Sequence, residues 1–477
     1  MSNLLPAGLK KVSSMIRNSP LLAVFFFMLF NVGCRSSVSS GQSIMVLDPI
    51  TTYQTIIGWE ANAQSGQIAA PAFSKYKDQL FDQAVNDLGI NRVRVEIPSG
   101  AENPIDYFSQ YVNGRIKRNE WKQHLYEIIN DNDDPLLINW KGFQFSELDH
   151  TIDNVVLPLK ERLDARGEKL FINVNYVDFG SSAFEHKEFP KEYAEFVLAT
   201  YLHLKDKYGW VPDAWEVILE PDNAHWSGTQ VGNAIAAAGN HLKAHGFNPI
   251  FIAPSNANMG NAITWFDQLI QVPGVQRYLS EFSYHRYGGV SDANLKAIAA
   301  RAVRYKINTS MLEHIGSGHE DFHQDLKIGR NSAWQQFTLA YPIKDNGAQY
   351  YWIDDKDPTY PKIIMGSRTK LLRQYFKFVR SGAVRIEAKS NNREFDPVAF
   401  VNADGTYVVV VKASQGGSFS IQGLPADTYG IKYTTRSHYD VDEADVAIGF
   451  VQPLTARIPE SGVITVYGRG RSNLQMR

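Results

Sequence analysis

The chain has 477 residues and a formal net charge of −2, which is long enough for a large domain with an appendage. A charge so close to zero argues against a nucleic-acid partner, which requires a basic face. The 26 Phe, 23 Tyr and 9 Trp fit a large core and equally a cleft whose walls stack on flat ligands.

The N-terminus reads as an address. Lys10, Lys11 and Arg17 precede the apolar run Leu21–Phe30. That run is short for a bilayer span and has the length of a signal-peptide core. It is followed by Asn31-Val32-Gly33-Cys34, which holds the only cysteine of the chain, so no intramolecular disulfide can form. The tetrapeptide resembles a bacterial lipoprotein signal, apart from Asn31 where an aliphatic residue is usual. The resemblance implies that residues 1–33 are removed, that Cys34 is lipidated, and that 34–43 form a flexible tether. The expected location is the bacterial cell envelope, lipid-anchored, or outside the cell if the leader is a plain secretory one. Membrane contact is then through the lipid alone.

From about residue 55 to 380, short apolar runs alternate with helical patterns. The expected strands are Thr55–Trp59, Arg92–Ile97, Lys169–Asn175, Ala214–Glu220, Ile250–Ala253, Glu281–Tyr284, Thr309–Glu313 and Ala348–Ile353. Between them, Phe73–Gly89, Lys191–Gly209 and Ser291–Lys306 repeat apolar residues at helical spacing, and Gly89, Gly167, Gly209 and Gly246 sit where C-cap glycines belong. Eight strand–helix alternations predict an α/β fold, a closed parallel (β/α)8 barrel over 44–380, with 44–54 free to pair elsewhere. The segment Ala101–His150 breaks the rhythm after the second strand. Its aromatic residues make it either a wall over the cleft or a small subdomain with its own core. Within it, Asp131-Asn132-Asp133-Asp134 lacks the ligand register of an EF-hand loop and reads as a solvated turn.

Beyond Arg380 the period changes to two. Val398–Val411 predicts two strands around Asp404-Gly405. Ser418–Ile421, Thr428–Thr434, Asp445–Ala447 and Gly462–Tyr467 predict further strands of a β-sandwich over 381–472, to which Ile44–Leu47 can add one more.

The residues that carry chemistry are Glu220 and Glu313. Each closes an apolar run and opens a polar loop, the position where barrels of this kind place reactive groups. Two carboxylates in one cleft can cut a glycosidic bond without metal or cofactor. Five stretches then occur in order: Tyr53–Gly58 (YQTIIG), Glu220-Pro221-Asp222, His285-Arg286-Tyr287, Leu312-Glu313-His314 and Tyr375–Ile386 (YFKFVRSGAVRI). With them the chain resembles a clan A glycoside hydrolase, and is most similar to family 30. The resemblance implies a retaining hydrolase of a β-linked oligo- or polysaccharide, acting as a monomer. Glu220 at the end of strand four would be the acid/base and Glu313 at the end of strand seven the nucleophile. In that pattern Asn precedes the acid/base and contacts the sugar 2-hydroxyl. Here Leu219 takes its place, which leaves Asn175 or Asn223 to supply the bond. Arg94 is implied to orient the nucleophile, or else to pair within the barrel with Glu216. Tyr287 would donate to Glu313, with His285 beside it. Trp352 near the end of strand eight would stack under the sugar, and Trp226 would line a neighbouring subsite. For acid catalysis the Glu220 carboxyl should be held above its usual range by burial and by the charge of Glu313.

Two other readings compete. His319-Glu320-Asp321-Phe322-His323 matches H-E-x-x-H, but Leu326 and Gly329 stand where a metzincin continues and no glutamate follows before Glu387. No metal is therefore expected. A surface lipoprotein that binds glycans without cutting them is the alternative from another class. The G-x-S-x-G elbow of serine hydrolases and a glycine-rich phosphate loop are both missing.

Overall fold

The computed structural model describes residues 42–470. The leader, Cys34 and nearly all of the tether lie outside the described residues.

The barrel strands are β2 (Gly58–Asn62), β3 (Arg92–Pro98), β4 (Phe171–Val177), β5 (Ala214–Glu216), β6 (Phe251–Asn258), β7 (Leu279–Gly288), β8 (Asn308–Glu313) and β9 (Ala333–Tyr341), β1 being a strand of the second sheet. They pair in parallel in that order, and β9 meets both β8 and β2 to close the ring. The sequence of β3 shows why the strand is buried on both faces. Val93, Val95 and Ile97 alternate outward into the core beneath the helices, and Arg92 and Arg94 alternate inward. Buried guanidinium groups need partners. Arg92 reaches both oxygens of Glu281 at 2.8 Å and also pairs with Glu60. Helices such as Pro190–Tyr208 end at glycines in the left-handed region, Gly209 at φ 76° and Gly89 at φ 100°, conformations in which a Cβ is penalised.

The eighth strand is a correction. It is Ala333–Tyr341, not Ala348–Ile353. The run Gln349–Asp354 (β10) pairs only with the outer end of β9, with Trp352 opposite Tyr341, and then antiparallel with Lys362–Met365 (β11). Gln335 and Gln336 obscure the apolar run of β9 in the sequence. Their amide nitrogens donate inside the fold, to the Leu312 carbonyl at 2.7 Å and the Ser317 carbonyl at 2.8 Å. The fourth strand is also shorter than expected and stops at Glu216.

The insertion after β3 has its own aromatic core. Phe108 meets Trp121 edge-on at 5.4 Å and Tyr111 stacks on Trp121 at 5.0 Å. The cluster is what the subdomain reading predicts, while Phe143 and Phe145 of the same segment pack into the barrel core.

The second sheet has nine strands. Ser43–Thr55 (β1) joins β12 (Val384–Ser390), β13 (Phe395–Val401), β14 (Tyr407–Ala413), β15 (Gly417–Gln422), β16 (Asp427–Thr435), β17 (Val441–Ile448), β18 (Leu454–Ile458) and β19 (Gly462–Gly468) in the order β17-β16-β19-β14-β13-β12-β1-β15-β18. Residues from one face of every strand, both edges included, share one core, so the sheet folds over on itself as a sandwich. Alternation places Val409 and Val411 in that core and Val408 and Val410 in the barrel's. Gln374 bonds to Thr434 and Thr465, and Arg373 to Asp87 and Asp440. Limited proteolysis should therefore release no active barrel. Val410→Asp, which puts a charge into this dry contact, should cost about 3–5 kcal/mol and lower the melting temperature of barrel and sandwich together.

Candidate active site

Glu313 is the last residue of β8, and Glu220 lies beyond the end of β5. The backbone at Glu220 has φ 48°, a region that costs a non-glycine residue about 1–3 kcal/mol. The loop is fixed from several sides. The Glu220 N–H donates to the Ser255 carbonyl at 3.2 Å, and the Glu220 carbonyl accepts from the N–H of Asn223 and Ala224 at 2.9 Å. Asp222 accepts from the N–H of Ala257 and Asn258 and from the Asn261 amide at 2.9–3.1 Å. The Glu-Pro-Asp motif is visible in the sequence, but its clamp onto the end of β6 is not.

The fold brings Glu220, His285 and Glu313 together, with one ligand atom of each within 4.8 Å of the other two. Arg94 Nη2 donates to Glu313 Oε2 at 2.5 Å, and the Tyr287 hydroxyl donates to Oε1 at 3.0 Å. His285 Nδ1 lies 3.0 Å from Glu220 Oε1, and the Asn223 amide donates to Oε2 at 2.6 Å. Asn223 thus engages the carboxylate itself. Asn175 is fully buried; its amide donates to the Glu216 carbonyl at 3.4 Å and its Oδ1 has no protein partner.

The electrostatics overturn one expectation. Burial pushes the Glu220 carboxyl up, but His285, Asn223 and Arg94 outweigh it and hold it below the usual range. Burial pushes Glu313 up, and this prevails over Arg94 and His285. His285 is held above its usual range, because its contacts with Glu220 and Glu313 outweigh burial. In the free site the proton that acid catalysis needs therefore resides more readily on His285 than on Glu220. Carboxylates this close titrate as a unit.

Two aromatic expectations are also corrected. Trp226 is 2% exposed and meets Tyr176 and Tyr193 edge-on at 6.2 and 5.7 Å; it is a core residue and offers no face to a ligand. Trp352 stands on β10, outside the ring of eight. The true eighth strand carries two half-buried aromatic residues, Phe337 and Tyr341; the Phe337 ring lies 5.8 Å from the Arg94 guanidinium. Its position two residues after Gln335 follows once the strand is placed correctly. Glu96 is a third carboxylate at the rim, 3.1 Å from Arg94 and bonded to the Asn62 and Gln64 amides.

Glu220, His285 and Glu313 offer the donor types of a metal site, but Arg94 already neutralises Glu313 and would repel a divalent ion. The H-E-x-x-H stretch does lie on a helix, His319–Gln324. There His323 turns to the Tyr375 hydroxyl at 2.9 Å and to Asp396 at 3.2 Å, and Glu320 binds Lys412 of the sandwich at 2.6 Å. These partners leave no shared metal position.

A family model described as "Glycosyl hydrolase family 30 beta sandwich domain" matches residues 382–423. In fold, the chain is similar to glycoside hydrolase family 30. A family-30 endoxylanase from Clostridium papyrosolvens superposes with a TM-score of 0.62 at 17% identity, over 90% of this chain and 100% of that one. The catalytic domain of a family-30 xylanase C from Talaromyces cellulolyticus gives 0.64 at 16% identity, over 89% and 99%. An endo-β-1,6-glucanase gives 0.62 at 16%, over 90% and 94%. At such identities the family-30 likeness is one of fold. No curated protein matches the chain.

Proposed function

We propose that the chain is a retaining glycoside hydrolase that cuts a β-linked glycan through a two-glutamate double displacement. One observation carries the reading: carboxylate oxygens of Glu220 and Glu313 come within 4.8 Å of each other. Retention calls for carboxyl groups about 5–5.5 Å apart, whereas inversion needs about 6.5–9.5 Å to admit a water. Arg94 and Tyr287 both donate to Glu313, which favours the anion that attacks the anomeric carbon. As that bond forms, the glycosidic C–O bond breaks and its oxygen takes a proton from Glu220, which His285 at 3.0 Å can supply. Glu220 then takes a proton from the water that releases the sugar.

The test is hydrolysis of a β-glycan panel that includes xylan and β-1,6-glucan, since structural neighbours are named for those activities. The first anomer formed should be β by proton NMR. A wild-type chain that binds a panel member and cuts none would instead be the glycan-binding protein.

Arg94→Met should move the acid limb of kcat/KM to higher pH. The guanidinium lowers the Glu313 pKa against burial. Without it the carboxyl rises further, and the nucleophile must be ionised to attack. The shift should exceed one pH unit, because an ion pair near 4 Å is worth several kcal/mol at an effective dielectric constant of about 20 and one unit is about 1.4 kcal/mol. An unmoved limb would exclude Arg94 from this role.

For the N-terminus, the reading remains lipidation of Cys34 and attachment to the cell envelope. Mass spectrometry of the mature chain should find an acylated Cys34 as its first residue.

A further inference from the structure

The pair Glu220 and Glu313 does not account for every charge at the mouth of the barrel. Along β3 the residues of inward parity are Arg92, Arg94 and Glu96, and Glu96 comes last, toward the strand's C-terminal end. It takes hold of the same nitrogen as the nucleophile. Arg94 Nη2 lies 3.1 Å from Glu96 Oε1 and 2.5 Å from Glu313 Oε2. One cation thus stands between two carboxylates, and among the described residues no other Lys, Arg or His forms an ion pair with either of them. Deeper in the lumen Arg92 is likewise shared by Glu60 and Glu281, but those acids are sealed from solvent. The Glu96 side chain is 26% exposed, against 9% for Glu313. It is the open member of the set.

The two oxygens of Glu96 are unequally occupied. Oε1 accepts from Arg94 and from the Asn62 amide, Asn62 standing beside Arg94 in the register of β2 on β3. Oε2 accepts only from Gln64 Nε2, at a long 3.3 Å. A carboxylate has about four acceptor positions, so Oε2 keeps room for a donor from outside the protein. A sugar hydroxyl is such a donor. On the reading that this site hydrolyses a β-glycoside, we propose that Glu96 is a specificity-determining residue. It accepts hydrogen bonds from hydroxyls of the sugar lying against Glu313, and it selects a neutral sugar over a uronic acid there. The argument for exclusion is electrostatic. A carboxylate on that sugar would meet Glu96, Glu220 and Glu313 with only Arg94 and His285 to offset them, and like charges at the distances of one pyranose ring repel strongly where water is scarce.

The experiment uses the full-length protein and 2,4-dinitrophenyl β-glycosides of xylose, glucose, galactose, glucuronic acid and galacturonic acid, with xylan and β-1,6-glucan in parallel. Wild type should favour its best neutral glycoside over both uronides by at least about 100-fold in kcat/KM. Glu96→Gln, isosteric and uncharged, should narrow that preference at least about tenfold. Glu96→Asp, which keeps the charge on a shorter arm, should retain more of it than Glu96→Gln. An ion pair that only braced Arg94 would slow neutral and acidic substrates alike. A preference that Glu96→Gln leaves unchanged therefore overturns the proposal while the hydrolase reading stands. A wild type that favours a uronide overturns it too. So does release from none of the five glycosides by a protein that cuts xylan or β-1,6-glucan, because the sugar against Glu313 is then not held by its own hydroxyls. Cleavage of nothing at all removes the hydrolase reading and this proposal together.

Discussion

Glu313→Ala should abolish turnover of every substrate, by about 10⁴-fold or more in kcat, with substrate affinity retained. Glu313 is the group that forms the covalent bond to sugar, so no choice of leaving group bypasses its loss. Its surroundings argue that the effect is chemical. The Arg94 guanidinium at 2.5 Å and the Tyr287 hydroxyl at 3.0 Å both converge on this one carboxylate. Burst kinetics with a dinitrophenyl glycoside measure the outcome directly, because wild type should show a glycosylation burst and Glu313→Ala none. Azide added to Glu313→Ala should give the α-azide, since a small anion then occupies the space left by the carboxylate. Ordinary turnover in Glu313→Ala would end the assignment.

Glu220→Ala should fail differently. A dinitrophenyl leaving group needs no proton, so glycosylation of Glu313 should proceed and turnover should stall at deglycosylation. Azide, which needs no general base, should restore turnover and give a β-configured product. This result also resolves the inverted electrostatics of the free site, where Glu220 is held low and Glu313 high. An α-azide from Glu220→Ala, or rescue only of Glu313→Ala to a β-azide, would mean that the two glutamates exchange roles.

The sequence disclosed the barrel because period and punctuation agree along most of it. Strands such as Arg92–Pro98 alternate charged lumen residues with aliphatic outer ones, and glycines close the helices. It misplaced the eighth strand because two glutamines there are buried and donate to the Leu312 and Ser317 carbonyls, a tertiary fact that no local pattern reports. The same error put Trp352 near the end of strand eight, a strand that carries Phe337 instead. Trp226 was misjudged because adjacency to Glu220 in the chain says nothing about which way a ring turns, and here it turns into the core. The pairing of His285 with Glu220 was also out of reach. Both residues could be named, but their 3.0 Å contact depends on the left-handed turn at Glu220.

The membership of β1 in the sandwich bears on biogenesis. This strand is the first of the described chain to be synthesised, yet its neighbours are β12 and β15, more than 300 residues later. During synthesis or export, its thirteen residues must wait with both edges unpaired until nearly the whole polypeptide has emerged. Open edges of that kind invite pairing with other chains, and closures over such separations are slow. The exposed stretch Pro49-Ile50-Thr51 in its middle, where the pairing with β12 shifts register between Asp48 and Thr52, is the sort of interruption that keeps a waiting strand from recruiting the wrong partner.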